Sequence, residues 1–254
     1  MKNTFKQSGS RLPLSAARTL CIAAASLCAA SLPAHADDLR INNLANSQAS
    51  FRALTETLGA ATSYKGIIPA ESQGITGFDV GVGVTTTRIN DKAAWARATG
   101  ASSPDYFTQT KLQVHKGLPF GVDVGFVTSN SNTNVSTVGG ELRYALIKGN
   151  VAVPAVGLRA AYTKVNGVDR LDLDNKSVEL TISKGLLMFT PYAGVGHVWT
   201  TATPNGVAGL TKEEIGLFRA YAGANLNFGL MNMAIEADKT GPTSSLSAKI
   251  GLRF

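Results

Sequence analysis

Apolar and polar side chains alternate with a period of two from residue 75 to the end of the chain. In FDVGVGVT, Phe78, Val80, Val82 and Val84 fall on one face, and the residues between them are aspartate and glycine. Such alternation is typical of β-strands whose two faces meet unlike surroundings. The pattern predicts strands at about 75–89, 105–116, 120–129, 136–147, 153–165, 175–184, 188–200, 214–228, 231–240 and 245–254.

The links between these predicted strands alternate in length. Three of the short links contain a Lys-Gly pair, as in Lys116-Gly117, and glycine there supplies the positive φ of a tight turn. The other links are longer or more polar, for example DKAAWARATGASSP and TATPNGVAGLTKE. This arrangement predicts an all-β fold, an antiparallel up-and-down transmembrane β-barrel of about ten strands. A bulge within one strand could mimic two strands, so counts from eight to twelve stay open.

The strands of a soluble barrel such as a lipocalin also alternate between apolar and polar residues, with the apolar face turned inward. Two features favour a membrane barrel instead. Charges on the apolar face lie only at strand ends (Arg88, Lys116, Lys164 and Lys239), where a bilayer tolerates them. Aromatic residues gather near both ends of the strands, as in the two girdles of a membrane barrel. They are Phe120, Phe189, Phe228 and Phe254 toward the short turns, and Tyr106, Phe126, Tyr162, Trp199 and Phe218 toward the loops.

The polar face would then line the lumen. It is rich in Gly, Ser, Thr and Asn, and its charges nearly balance. Because charges removed from water need partners, the mixed signs favour a network of ion pairs across the lumen. A selectivity lining for a narrow pore is the alternative. The predicted lumen-lining charges are Asp79, Lys111, Asp123, Glu141, Arg143, Arg159, Glu179, Arg219, Glu236, Lys249 and Arg253.

The chain ends in KIGLRF, with Leu246, Ala248, Ile250, Leu252 and Phe254 in one phase. This ending resembles the C-terminal strand of Gram-negative bacterial outer-membrane β-barrel proteins. The resemblance is to the class, without a match to a characterised family. It implies that the final strand, ending in phenylalanine, is recognised by the barrel-assembly machinery, with periplasmic chaperones as further partners during biogenesis. It also implies residence among the lipids of the bacterial outer membrane.

The first 36 residues have the features of a cleaved secretory signal peptide. Basic residues without an acid precede an alanine-rich apolar run, and Ala34 and Ala36 form a small-x-small cleavage site. The apolar run is too short for a membrane-spanning helix. A lipoprotein signal at Cys28 is disfavoured, because Leu27 stands where a small residue is needed.

Removal of this peptide changes the composition of the exported chain. Both cysteines, Cys21 and Cys28, leave with it, so no disulfide is expected. Four basic residues also leave, which lowers the formal net charge from +7 to +3. A charge of this size indicates no nucleic-acid partner. Nothing in the pattern indicates a cofactor or a metal, and the oligomeric state is left open.

Residues 37–74, the N-terminal segment, do not alternate. The stretch ANSQASFRALTETLGA predicts a short helix, with Phe51, Leu54 and Leu58 as its apolar stripe and Gly59 as its end. The segment could rest on the periplasmic rim or enter the lumen as a plug. A ten-stranded barrel is narrow, which favours the rim or partial insertion. The barrel itself is assigned to 75–254.

Catalytic chemistry has little support in the sequence, and no catalytic residue is assigned. His115 adjoins a short turn, and His197 has an ambiguous phase with no acid placed beside it. Asp172 and Asp174 form too incomplete a pattern for a calcium loop. We therefore expect a non-enzymatic outer-membrane barrel that is structural or a narrow small-solute conduit. The alternatives are a lumen-binding transporter gated by the N-terminal segment and, with less support, a hydrolase with its site at the loop rim.

Overall fold

A computed structural model describes residues 37–150 and 152–254, and the predicted signal peptide at 1–36 lies outside this part of the chain. Within the described residues, ten antiparallel strands form a closed barrel with each strand beside its neighbours in sequence. This confirms the predicted fold class. The strands are β1 Phe78–Arg88, β2 Tyr106–Gly117, β3 Val122–Ser131, β4 Ser136–Ile147, β5 Ala155–Asn166, β6 Leu171–Ser183, β7 Phe189–Pro204, β8 Glu213–Phe228, β9 Met231–Thr240 and β10 Thr243–Arg253.

The same described residues contain two α-helices, α1 Gln48–Thr62 and α2 Lys92–Thr99, neither of which is long and apolar enough to cross a bilayer. Two short 3₁₀ turns, Ile41–Leu44 and Pro119–Gly121, complete the helical structure of that part of the chain. The prediction placed α2 in a loop. The sequence nevertheless contains both capping residues of this helix. The side chain of Asp91 accepts a hydrogen bond from Ala94 N at 2.8 Å at the start, and Gly100, with φ of 75°, ends the helix.

The end of the chain closes the barrel. Strands β1 and β10 pair from Asp79 opposite Arg253 to Thr87 opposite Ser245. Phe254 extends the ladder, because Phe78 N donates to Phe254 O at 2.7 Å and Phe254 N donates to Phe78 O at 3.0 Å. Their ring centroids lie 5.7 Å apart. The last residue is thus fixed by backbone and side-chain contacts, where chain ends otherwise fray.

The apolar phase of the strands faces outward. Val82, Leu142 and Ile235 are 50%, 54% and 61% exposed, whereas the alternating polar positions on the same strands are buried inside the barrel. The predicted aromatic residues lie on the outer surface. Tyr106, Tyr162, Trp199 and Phe218 are in the loop-side halves of their strands, and Phe120, Phe189, Phe228 and Phe254 lie toward the turns, whereas Phe126, predicted toward the loops, lies at the middle of β3. The barrel therefore turns its polar face inward and its apolar face outward.

The N-terminal segment passes through the lumen from one end to the other, which corrects the preference for the rim or partial insertion over complete insertion. It begins at the loop end, where Leu39 N donates to the side chain of Asn134 in the β3–β4 loop. It ends at the turn end, where Ser72 Oγ donates to Asp123 at the start of β3 at 2.8 Å. The helix α1 is buried over most of its second half, where Gly59 and its neighbouring alanines give it a small cross-section. Small side chains and polar wall groups let the narrow barrel accept the chain.

Candidate functional site: the filled lumen

Residues 63–74 follow α1 in neither helix nor strand, and side chains of the wall bind several of the backbone groups in and beside this stretch. Thr163 Oγ1 donates to Thr62 O at 2.9 Å, Arg219 Nη1 donates to Tyr64 O at 2.7 Å, and Ala70 N donates to Ser183 Oγ at 3.1 Å. Gln113 and Arg143 likewise donate to the carbonyls of Lys65 and Pro69. Buried backbone groups need such partners, so the wall is matched to this segment.

The loop end of the lumen is sealed by an apolar cluster. The α1 side chains Phe51, Leu54 and Leu58 pack there with Trp95 of α2 and Phe107 of β2, and all five are buried. The rings of Trp95 and Phe107 meet edge-on at 5.5 Å. The residues of this cluster come from the N-terminal segment, from α2, from the barrel wall and from the loops, so the mouth is closed by a small hydrophobic core of its own.

Deeper in the lumen, acidic and basic side chains of the wall, together with His115, form a nearly continuous ring, here named the charge belt. From β10 to β6, its contacts are Lys249 Nζ to Asp79 Oδ1 at 2.9 Å, His115 Nδ1 to Asp79 Oδ1 at 3.8 Å, His115 Nε2 to Glu141 Oε1 at 3.1 Å, Arg159 Nε to Glu141 Oε2 at 2.8 Å and Arg159 Nη1 to Glu179 Oε2 at 3.0 Å. Every member is buried. Adjacent opposite charges offset the cost of removing each one from water.

The belt continues through Arg219 of β8 to strand β9. Arg219 binds Glu179 Oε1 with Nη1 at 2.8 Å and Glu236 Oε1 with Nη2 at 2.8 Å. Its guanidinium also lies over the ring of Tyr221 at 4.8 Å from the centroid. Asp238 of β9, 3.9 Å from Arg219, completes the wall part of the belt and binds Lys65 of the N-terminal segment at 2.9 Å. The belt thus joins the wall to the segment inside it.

The predicted lumen-lining charges all occupy inward positions of the strands. Ten of the eleven are buried, and Arg253, at the end of β10, is partly exposed with Nε 3.7 Å from Asp79. Asp123 and Arg143 form a separate pair of 3.7 Å near the turn end. Lys111 lies between Gly83 and Ser129 on the neighbouring strands, outside the belt. The remaining predicted residues are members of the belt: Asp79, Glu141, Arg159, Glu179, Arg219, Glu236 and Lys249.

Three members of this site were not among the predicted lumen-lining residues. Asp238 and His115 share the inward phase of Glu236 and Lys111, so the alternation itself could have found them. Lys65 carries no such signal, because it lies in a segment without a period. Its partner Asp238 is 173 residues away in the chain.

The two candidates for rim chemistry lie apart from the lumen. His197 is in the outward phase of β7 and packs on Trp199 with ring centroids 4.7 Å apart. Asp172 accepts a hydrogen bond from Asn205 at 2.9 Å. Asp174 of β6 lies opposite Lys164 of β5 in the strand register. Across residues 37–150 and 152–254, no group of three His, Cys, Asp or Glu side chains is arranged to hold a metal.

No protein-family model and no curated protein sequence matches the chain. Several solved structures are similar to the chain. The N-terminal β-barrel domain of Pseudomonas aeruginosa OprF is 13% identical, with 71% of this chain and 99% of that one covered and a TM-score of 0.38. LpxR from Salmonella typhimurium is 8% identical, with 68% and 100% covered and a TM-score of 0.40. The KdgM porin is 8% identical, with 68% and 99% covered and a TM-score of 0.35.

These solved structures are outer-membrane β-barrel proteins. The fold expected from the sequence, a closed antiparallel up-and-down barrel, is confirmed by the strand pairing of the described residues. Likenesses of this size indicate no shared activity, so the function has to be argued from the filled lumen.

Close packing of α1 against the wall gives a first prediction. A Cβ placed on Gly59 would lie 3.0 Å from Cβ of Thr200, on the inner face of β7. We expect Gly59→Val to lower the free energy of unfolding by about 1–3 kcal/mol, because the helix would have to move from the wall. Urea titration of the refolded protein measures this loss. In the control Ala53→Val, the new methyl groups enter a cleft at the loop rim beside Glu56, and the change should be within about 0.5 kcal/mol. Equal losses of stability in the two variants would contradict the close packing of Gly59 against Thr200.

Proposed function

We propose that the protein is an integral outer-membrane β-barrel without enzymatic activity, whose own N-terminal segment closes its lumen. One observation carries the proposal. Lys65 of the segment binds Asp238 of the wall at 2.9 Å, and both side chains are 0% exposed. A solute crossing the lumen at this level would have to displace the lysine and the backbone beside it. The protein at rest is a closed barrel.

The outer wall supports a position in the membrane. A mid-bilayer lysine or arginine on a lipid-facing strand costs about 2–4 kcal/mol. The outward basic residues Arg88, Lys116, Lys164 and Lys239 lie within two residues of a strand end. Lys176 departs from this pattern, since it faces outward five residues into β6, where it lies opposite the aromatic residues Tyr162 and Trp199 of the neighbouring strands. Exposed valine, leucine and isoleucine fill the band between the two sets of aromatic residues, for example Val82, Leu142 and Ile235 on three different strands. Lipid is the solvent that such a surface fits, because a closed barrel leaves no backbone unpaired in it.

The polar wall supports a role as a gated conduit for small solutes. Residues 63–74 are held by hydrogen bonds and the Lys65–Asp238 ion pair, which water can replace, as well as by the burial of Ile67 and Ile68. Without them, the lumen would expose charged groups of both signs, including Arg219, Glu236 and Asp238, to entering water. Such a lining suits polar solutes. Withdrawal of the N-terminal segment is therefore the opening step of this conduit, and a permanently closed structural barrel is the alternative.

Planar-bilayer recording tests the proposal. The full chain should show long closed periods at any applied voltage. Deletion of residues 38–73 should give a steady open level, provided that heat-modifiable migration on gels shows a folded barrel. A steady open level in the full chain would contradict closure by the segment. A folded deletion variant that never conducts would leave the structural barrel as the function.

The course of the segment predicts the side on which its start is displayed. In outer-membrane barrels the longer loops face outward and the short turns face the periplasm. Exposed Asp38 lies at the loop end, and exposed Lys148 lies in the β4–β5 turn. On intact cells, Asp38→Cys should therefore react with a membrane-impermeant maleimide, and Lys148→Cys should react only after the outer membrane is permeabilised. The reverse pattern would contradict this orientation.

A further inference from the structure

The wall around Lys65 has the geometry of a binding site, and the lysine side chain occupies this site as a ligand would. The ammonium Nζ lies 2.9 Å from Oδ1 and 3.1 Å from Oδ2 of Asp238, so both carboxylate oxygens face it. Thr240 Oγ1 donates to Oδ2 at 2.9 Å and holds the carboxylate in place. The carboxylate and the hydroxyl belong to β9, a strand of the wall, whereas the ammonium belongs to the N-terminal segment.

The wall also binds the backbone on both sides of this ammonium. Arg219 donates to the carbonyl oxygen of Tyr64, and Gln113 donates to that of Lys65. These two donors and the carboxylate of Asp238 come from three different strands and converge on one short stretch of extended backbone. Together they recognise a primary ammonium group that lies a side chain's length from amide carbonyls. That pattern is a property of any basic peptide or amino-amide.

Without Lys65, the carboxylate of Asp238 would have no cation within hydrogen-bond distance. Arg219 is the nearest other partner at 3.9 Å, and it already binds Glu179 and Glu236 at 2.8 Å each. A buried carboxylate without a cation is costly, and a mobile cation that fits would lower that cost. The emptied site would therefore attract an ammonium group from solution.

We propose that Asp238, Gln113 and Arg219 form a lumen site for a primary ammonium compound of the basic-peptide type, and that Lys65 occupies this site in the closed barrel. The inference deepens the proposed function and rests on the closing role of the N-terminal segment. It assigns the conduit a cationic amine as solute, with Lys65 as its attached competitor. Opening and solute binding then share one site, because the solute replaces the lysine.

Chemical rescue of the full chain tests the site. Lys65→Ala removes the ammonium and its methylene chain, and n-propylammonium supplies the same atoms from solution. The variant is refolded into detergent micelles with n-propylammonium, with tetramethylammonium, which has the charge but no N–H, or with n-propanol, which has the chain but no charge. The readout is the midpoint of the heat-modifiable transition on gels, together with the refolding yield should the variant fold poorly.

We expect Lys65→Ala to lower the midpoint by about 10 °C. Binding of n-propylammonium should restore about 4 °C of this at a concentration of about ten times its dissociation constant. Tetramethylammonium and n-propanol should restore little. In Lys65→Ala combined with Asp238→Asn, n-propylammonium should lose its advantage over both. Equal effects of the three additives, or an undiminished rescue in the double variant, would overturn the site.

The result of this rescue experiment does not depend on the result of the planar-bilayer recording. A full chain that conducts steadily would contradict the closing role, while amine-specific rescue would still establish the ammonium site. Absence of rescue would remove the site and leave closure by the N-terminal segment intact.

Discussion

Replacement of Arg219 by methionine should lower the free energy of unfolding by about 3–5 kcal/mol. The guanidinium is fully buried and serves three partners, Glu179, Glu236 and the carbonyl of Tyr64, at 2.7–2.8 Å. Methionine keeps much of the volume but leaves two carboxylates with one cation fewer. It also frees a backbone carbonyl of the N-terminal segment, so the wall and the segment should both loosen.

Urea titration of the protein in lipid vesicles measures the loss. Arg253→Met is the matched control, because this arginine is partly exposed and its Nε lies 3.7 Å from Asp79. Its loss should stay below about 1 kcal/mol. Adding Glu236→Gln to Arg219→Met should recover part of the stability, since it removes one of the uncompensated charges. A loss below about 1 kcal/mol for Arg219→Met would show that the charge belt does not hold the barrel as described.

Reversal of the charge at position 65 should open the barrel. In Lys65→Glu, the carboxylate would face Asp238 where an ammonium now lies 2.9 Å away. Two like charges about 3 Å apart repel by about 5 kcal/mol at an effective dielectric constant of about 20. The attraction of the native pair is lost as well. Together these changes are comparable to the whole stability of many domains, and withdrawal of residues 63–74 from the lumen relieves the repulsion.

Planar-bilayer recording should then show a steady open level for Lys65→Glu where the native chain is closed. Lys92→Glu is the matched control. Lys92 lies at the start of α2, where it pairs with the exposed carboxylate of Asp105 away from the lumen, so its reversal should leave the barrel closed. Closed traces for Lys65→Glu, with a normal heat-modifiable shift, would mean that the Lys65–Asp238 pair does not hold the segment in place.

The alternation of side chains was sufficient to predict the barrel wall. Strands β4 and β9 have the predicted bounds, and the predicted lumen-lining charges lie in the inward phase, which they share with apolar residues such as Phe107 and Val198. The predictions were short at the loop end, where β6 begins at Leu171 and β7 extends to Pro204. The outward positions there, such as Asp172 and Thr203, are polar. Strands that rise beyond the apolar band lose the contrast between their faces, so their ends cannot be read from the period.

The filled lumen could not be predicted in the same way. The N-terminal segment follows the period of neither a strand nor, after Thr62, a helix, because it contacts different wall groups at each residue. Its hydrogen bonds join residues far apart in sequence, for example Tyr64 with Arg219. Nothing local in SYKGIIPAE indicates these partners. The narrowness of a ten-stranded barrel argued against insertion, and the glycines at 59 and 66, which lie against Thr200 and Arg159, are what make room for it.

The position of α1 inside the barrel is the central claim, and a disulfide tests it most directly. Residues 37–254 contain no cysteine, and a Cβ on residue 59 would lie 3.0 Å from that of Thr200, about 0.5 Å below the lower end of the usual Cβ–Cβ range of a disulfide. In isolated outer membranes, Gly59→Cys with Thr200→Cys should form a disulfide on mild oxidation. Gly59→Cys with Trp199→Cys should not, because Trp199 points outward. Free thiols in the first variant, or equal cross-linking in both, would contradict the account.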